Sequence, residues 1–279
     1  MTDTSADQRT IEADGCAIAT RAWGEEGRPA IVLVHGSAAH MGWWDPIAAD
    51  LATDHRVVAL DLSGHGDSGW RERYSGTTWA DEVNAVIDAF GVAPTLLVAH
   101  SLGARVSVVA AGERPDAVRG LMLVDPPIRP PAADGSPFRA PMRTPGGLRT
   151  FPTLDEAKMN FHLRPHEPIL NHERLMEVAA ASFKETDDGW AYKADSRVHE
   201  RIDNLPLAEP LGRLGSPLLM VWGAMSPVYS FSEPDFAVQA HSGATEIQTI
   251  RDAYHHLMFD HGPELTDRIR AFSARCPAG

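Results

Sequence analysis

Cysteine is scarce: Cys16 and Cys276 are the only two in 279 residues, and they stand at opposite ends of the chain. That excludes a disulfide framework and a thiolate metal site, and it fits a reducing cytoplasm. Long apolar runs are also missing. None approaches the ~18 residues that cross a bilayer, so no membrane span is expected. The opening stretch MTDTSADQRT has neither a basic nor an apolar region, so no signal peptide is expected. Basic residues are few. The 25 Lys and Arg stand against 38 Asp and Glu, a net charge of −13. A surface this acidic repels nucleic acid and anionic lipid, which leaves a small molecule as the expected partner. Oligomeric state is not legible, and a homodimer stays open.

The remaining composition is ordinary. Hydrophobic residues make up 43% and charged residues 23%, which excludes a mostly disordered or collagen-like chain. The length is enough for a large core. No internal repeat or low-complexity tract interrupts it.

Short β-rich runs alternate with helical patterns, as in an α/β sheet. The runs fall at 31–35, 56–60, 95–99, 120–124, 217–222 and 245–250. Several are nearly all apolar (IVLV, TLLVA, LMLV, LLMVW), as parallel strands covered on both faces should be. Residues 8–11 and 16–21, joined at Asp14-Gly15, read as an opening hairpin. Thr78 reads as an N-cap for a helix that carries Val83, Val86, Ile87 and Phe90 and stops at Gly91. A further helix begins at Leu102 and stops near Gly112, ahead of Pro115. After Asp125 the chain turns rich in Pro, Arg and Gly up to about Pro152. A capping box at Thr153-x-x-Glu156 then predicts a helix, and Asn171 predicts the cap of another. The gap between strands from Asp125 to Pro217 is too long for a simple crossover, so 126–216 reads as a mostly helical insertion over one end of the sheet.

One turn stands out chemically. Strand 95–99 runs into His100-Ser101-Leu102-Gly103-Ala104 and then a helix, the context in which a sharp turn exposes a serine hydroxyl as a nucleophile. Strand 31–34 ends in His35-Gly36-Ser37-Ala38. The N–H groups of Ser37 and Leu102 are the natural pair to hold an oxyanion. The glycine-rich turn DLSGHGDSG at 61–69 lacks the lysine and spacing of a phosphate loop and reads as structural. A serine nucleophile needs a base. His255 follows the last strand and is preferred, with His256 as the runner-up. His162 and His166 stand at i,i+4, but Pro165 breaks the helix that would align them, and His255, His256 and His261 lack the spacing and thiolates of a zinc site.

Together LVHG, DLSGHGDSG, AHSLGA and the late histidine resemble the α/β-hydrolase fold superfamily over nearly the whole chain. The resemblance implies a mostly parallel twisted sheet with flanking helices. It implies a core of 1–125 and 217–279 with a helical cap at 126–216. It further implies a serine hydrolase with Ser101 as nucleophile and His255 as base, needing no metal or organic cofactor. Family members usually carry the acid after the strand that is 218–222 here. This chain has Ser226 there. Some members carry it one strand earlier, which selects Asp125, with Glu233 and Asp235 as substitutes. Substrate contacts are expected from His40, Met41, Trp43 and Trp44 beside the oxyanion turn, and from the cap aromatics Phe161, Trp190 and Tyr192. Arg105 and Arg129 could meet an anionic group. Hydrolysis of a carboxylic ester or lactone is the default activity. Hydrolysis of a C–C bond in ring-cleavage diketones comes next, although those enzymes often have tryptophan where this chain has His256. An amidase and a non-catalytic binding protein complete the set.

Overall fold

A computed structural model describes residues 6–129, 149–199, 205, 207–228 and 232–277. The chain opens with β1 (Asp7–Ala13), β2 (Cys16–Trp23) and β3 (Ala30–Val34). Next come α1 (Asp45–Leu51), β4 (Arg56–Leu60), α2 (Gly76–Phe90), β5 (Thr95–His100), α3 (Leu102–Glu113) and β6 (Val118–Val124). An insertion holds β7 (Thr150–Phe151), α4 (Leu154–Met159), α5 (His172–Ala181), β8 (Phe183–Thr186), β9 (Gly189–Tyr192) and α6 (Ala208–Arg213). The chain closes with β10 (Leu218–Gly223), α7 (Ser232–Ala240), β11 (Thr245–Ile250), α8 (Leu257–Asp260) and α9 (Gly262–Ser273).

Eight strands form one sheet in the order β1-β2-β4-β3-β5-β6-β10-β11. The hairpin strands β1 and β2 pair antiparallel, and the other six run parallel. Strand side chains alternate between two separate cores, as a pleat requires. Val32, Val34, Leu97, Ala99, Leu121 and Leu123 face the α2–α3 side. Ile31, Leu33, Leu96, Val98, Met122 and Val124 face the side of α1 and α9. Burial on both faces explains why these strands are legible as unbroken apolar runs.

Two expectations need correction. The cap of α2 is Ser75, whose hydroxyl accepts from the Thr78 N–H at 3.0 Å. Thr78 is therefore the capped residue rather than the cap. The insertion also holds more than helices. Beside α4 and α5, capped by Thr153 and Asn171 as expected, it carries a small antiparallel sheet in the order β7-β9-β8. Phe183 opens β8 and packs edge-to-face on Phe151 and Tyr192. Most of the Pro-, Arg- and Gly-rich stretch, 130–148, lies outside the described residues.

Strand order reverses at β3, whose neighbours are β4 on one side and β5 on the other. Ligands of open α/β sheets bind outside the carboxyl ends of the strands at such a reversal. The loop after β3 and the turn after β5 meet there, and two glycines allow the approach. A Cβ on Gly103 would sit 2.3 Å from the carbonyl oxygen of His35, and one on Gly36 would sit 2.7 Å from His100 Nδ1. Gly103→Ala should therefore cost about 1–3 kcal/mol by overpacking and slow any reaction at Ser101. A lowered urea midpoint together with slower covalent labelling checks this; unchanged values of both contradict it.

Candidate active site

Ser101 sits between β5 and α3 with φ 51° and ψ −115°, a conformation rare for any residue but glycine. The strain holds because the flanking strand and helix fix both sides of the turn. It lifts the hydroxyl clear of the helix and leaves the N–H of Leu102 at the helix start, where helical N–H groups lack intrahelical partners. Ser37 lies across from it in the loop after β3, followed by Ala38 at φ 54°.

His255, in the loop after β11, places Nε2 3.0 Å from Ser101 Oγ and Nδ1 2.5 Å from Asp125 Oδ2. Asp125 caps β6 with φ 45° and has no solvent exposure. The runner-up base, His256, points elsewhere: its ring packs against Trp43 and Phe259. Of the substitute acids, Asp235 is exposed on α7, and the side chain of Glu233 lies outside the described residues. Serine at the usual acid position does not leave the site without support. Ser226 Oγ donates to Asp125 Oδ2 at 2.5 Å, and the N–H of Gly223 donates to Oδ1 at 2.9 Å. A hydroxyl here supports the carboxylate carried by the neighbouring strand.

Burial is the largest influence on both partners. It raises Asp125 to about 7, against the hydrogen bonds from Ser226 and Gly223. It lowers His255, with the charge of His256 acting the same way and Glu167 opposing. The two groups titrate as one pair. Without the shared proton the pair carries −1; with it the pair is neutral. Burial beside the Glu167 carboxylate disfavours the −1 state, so it favours uptake of the shared proton.

The expected substrate contacts divide. His40 is committed to structure: Nδ1 accepts from the Gly42 N–H and Nε2 lies 3.2 Å from Ser182 Oγ. The N–H of Met41 donates to Asp61 at 2.6 Å, and Trp44 is fully buried beneath α1. Trp43 meets His256 at a tilt and Phe259 edge-to-face. Packing claims these four because the loop after β3 dives into the core on the α1 side. Phe161 packs on Tyr192 inside the insertion, and Trp190 is half-buried there. Arg105, named as a possible contact for an anionic group, is buried; burial, then the charge of Arg129, lowers it to about 10. Glu167 carried no sequence signal, yet it accepts from the His255 and His256 N–H groups. Tyr192, expected as a substrate contact, donates its Oη to the Ala38 carbonyl at 2.5 Å, and His100 Nε2 lies 3.0 Å from the His255 carbonyl. Among the described residues no group of three or more His, Cys, Asp or Glu could hold a metal ion.

The profile of the α/β hydrolase fold family matches residues 29–262. The chain belongs to that family. Lipase LipV of Mycobacterium tuberculosis is 33% identical over 117 residues, 42% of this chain and 43% of that one. The 2-(acetamidomethylene)succinate hydrolase of Mesorhizobium japonicum is 34% identical over 211 residues, 72% of this chain and 73% of that one. Among solved structures, the thioesterase domain from the curacin biosynthetic pathway superposes with a TM-score of 0.80 at 24% identity, covering 95% of this chain and 99% of that one. This α/β hydrolase therefore shares its fold with a broad set of hydrolases. No helix among its described residues is long and apolar enough to cross a membrane.

Asp125→Asn should lower kcat by about 10⁴, because an amide cannot hold the imidazole in the tautomer that accepts the serine proton. Ser226→Ala removes a donor to the ionised carboxylate. The acid limb of kcat/KM should then move to higher pH, with kcat reduced only several-fold. A limb that stays in place or moves down contradicts the role given to Ser226.

Proposed function

We propose that this α/β hydrolase cleaves a carboxylic ester or lactone of a small organic substrate through an acyl-enzyme on Ser101. The reading is carried by one observation: Ser101 Oγ, His255 and Asp125 lie in line at 3.0 and 2.5 Å, in a buried setting. Ser101 attacks the carbonyl carbon while His255 Nε2 takes its proton. The negative charge that develops on the carbonyl oxygen is held by the N–H groups of Ser37 and Leu102. Asp125 keeps the proton of the resting imidazole on Nδ1 and offsets the positive charge that forms. His255 next protonates the leaving alkoxide, which departs as an alcohol from an ester or stays as the free hydroxyl end of the acyl chain from a lactone. Water then enters and His255 removes its proton as the oxygen attacks the acyl carbon; His255 returns that proton to Ser101 Oγ as the acyl–oxygen bond breaks, which frees the acid and restores the serine hydroxyl.

An ester fits this machinery because the alkoxide leaving group needs little help beyond one proton. The name of Lipase LipV also supports ester chemistry. A second reading, hydrolysis of an acetamido-bearing dicarboxylic acid, is favoured by the 34% identity to the 2-(acetamidomethylene)succinate hydrolase. The cytoplasm suits the two unpaired, buried thiols Cys16 and Cys276.

A fluorophosphonate probe should label the wild-type protein at neutral pH and fail to label Ser101→Ala. The same protein should hydrolyse short p-nitrophenyl esters faster than acetamido-substituted succinates. Equal labelling of Ser101→Ala sinks the acyl-enzyme; preference for the succinates selects the second reading.

A further inference from the structure

The insertion meets the base loop along a short seam built from two carboxylates. From the insertion, Glu167 reaches down between α4 and α5. Its Oε2 accepts from the His255 N–H at 3.0 Å and its Oε1 from the His256 N–H at 2.8 Å. His256 Nδ1 also lies 2.8 Å from Oε1, though not aligned for a hydrogen bond. From the other side, Asp260 of α8 accepts from the N–H groups of Leu170 and Asn171 at 2.8–3.1 Å. Each segment thus supplies a carboxylate to the other's backbone. The Glu167 side chain is only 1% exposed. A buried carboxylate is costly unless donors surround it, and here the donors are the backbone of the catalytic histidine itself.

We propose that Glu167 is a positioning residue for His255: the insertion's carboxylate fixes the base loop, which keeps the imidazole in line between Asp125 and Ser101. The proposal rests on the hydrolase reading above. It makes the insertion a working part of the catalytic unit as well as a roof over it. The groups facing His255 are Ser101, Asp125, His100, His256 and Glu167. Of these, Glu167 adds a second negative charge behind the pair. That charge favours the proton-bound state of both Asp125 and His255. Its removal should lower the pH at which the pair protonates, the opposite of the shift expected from losing the Ser226 hydroxyl.

The test compares wild type, Glu167→Gln, Glu167→Asp and Asp260→Asn by ester hydrolysis, phosphonate labelling rate and thermal melting. Glu167→Gln keeps the size but can no longer accept from both N–H groups. Its kcat and labelling rate should fall by about 10- to 100-fold, the scale of a small misplacement of a catalytic group. KM should stay within about two-fold, and the acid limb of kcat/KM should move to lower pH. Glu167→Asp keeps the charge and should restore the position of the limb. Asp260→Asn loosens the same seam without touching His255, so it should lower the melting temperature while kcat stays within about three-fold. A labelled wild type with an unaffected Glu167→Gln overturns the proposal alone. So does a Glu167→Gln loss matched by Asp260→Asn with no shift of the acid limb. Absence of labelling in the wild type overturns the hydrolase reading and the proposal with it.

Discussion

A buried carboxylate facing a buried imidazole is unfavourable unless both find partners, and the 2.5 Å contact between Asp125 and His255 is where this protein meets that constraint. The two residues are 130 apart in sequence. One ends β6 and the other follows β11, with β10 between these strands in the sheet. Bringing them together requires β6, β10 and β11 to run parallel, which puts the carboxyl ends of β6 and β11 at one edge of the sheet. The strained backbone at Ser101 and Asp125 is tolerated because strands and hydrogen bonds fix the chain on both sides.

The loops at this edge are held by a recurring device: a carboxylate that accepts backbone N–H groups from another segment. Asp61 at the end of β4 takes the N–H groups of Met41 and Asp67, so it ties the loop after β3 to the glycine-rich turn. Burial raises Asp61 to about 6, with those N–H donors opposing. Asp125 takes Gly223, Glu167 takes His255 and His256, and Asp260 takes Leu170 and Asn171. Loops lack the hydrogen-bond ladders of strands, and these carboxylates supply fixed acceptors instead. Tyr192 adds a neutral version, donating from the insertion to Ala38. Thus the loop after β3 and the loop after β11 are both secured from the insertion.

The central strands were legible because burial on both faces leaves an unmistakable apolar run, as in the LLMVW of β10. The opening hairpin and the helix stops at Gly91 and Pro115 were legible from turn chemistry. Ser101 was legible from its strand–turn–helix setting, whereas Asp125 needed the family resemblance, because an aspartate at a strand end is common. The small sheet of the insertion escaped because four-residue strands such as Phe183–Thr186 carry too few side chains to show a period. Glu167 escaped for another reason. It stands in an aperiodic stretch, HLRPHEP, and its partners lie 88 and 89 residues away. Ser226 could be read only as a missing aspartate, since its meaning depends on where the neighbouring strand ends.

The most direct test of this account is the proton on the base itself. Nitrogen-15 spectra of histidine-labelled protein above the titration of the pair should show His255 as the Nδ1–H tautomer, with a far-downfield proton that disappears in Asp125→Asn. His255 carrying its proton on Nε2, or a downfield signal that survives Asp125→Asn, would contradict the arrangement on which the chemistry depends.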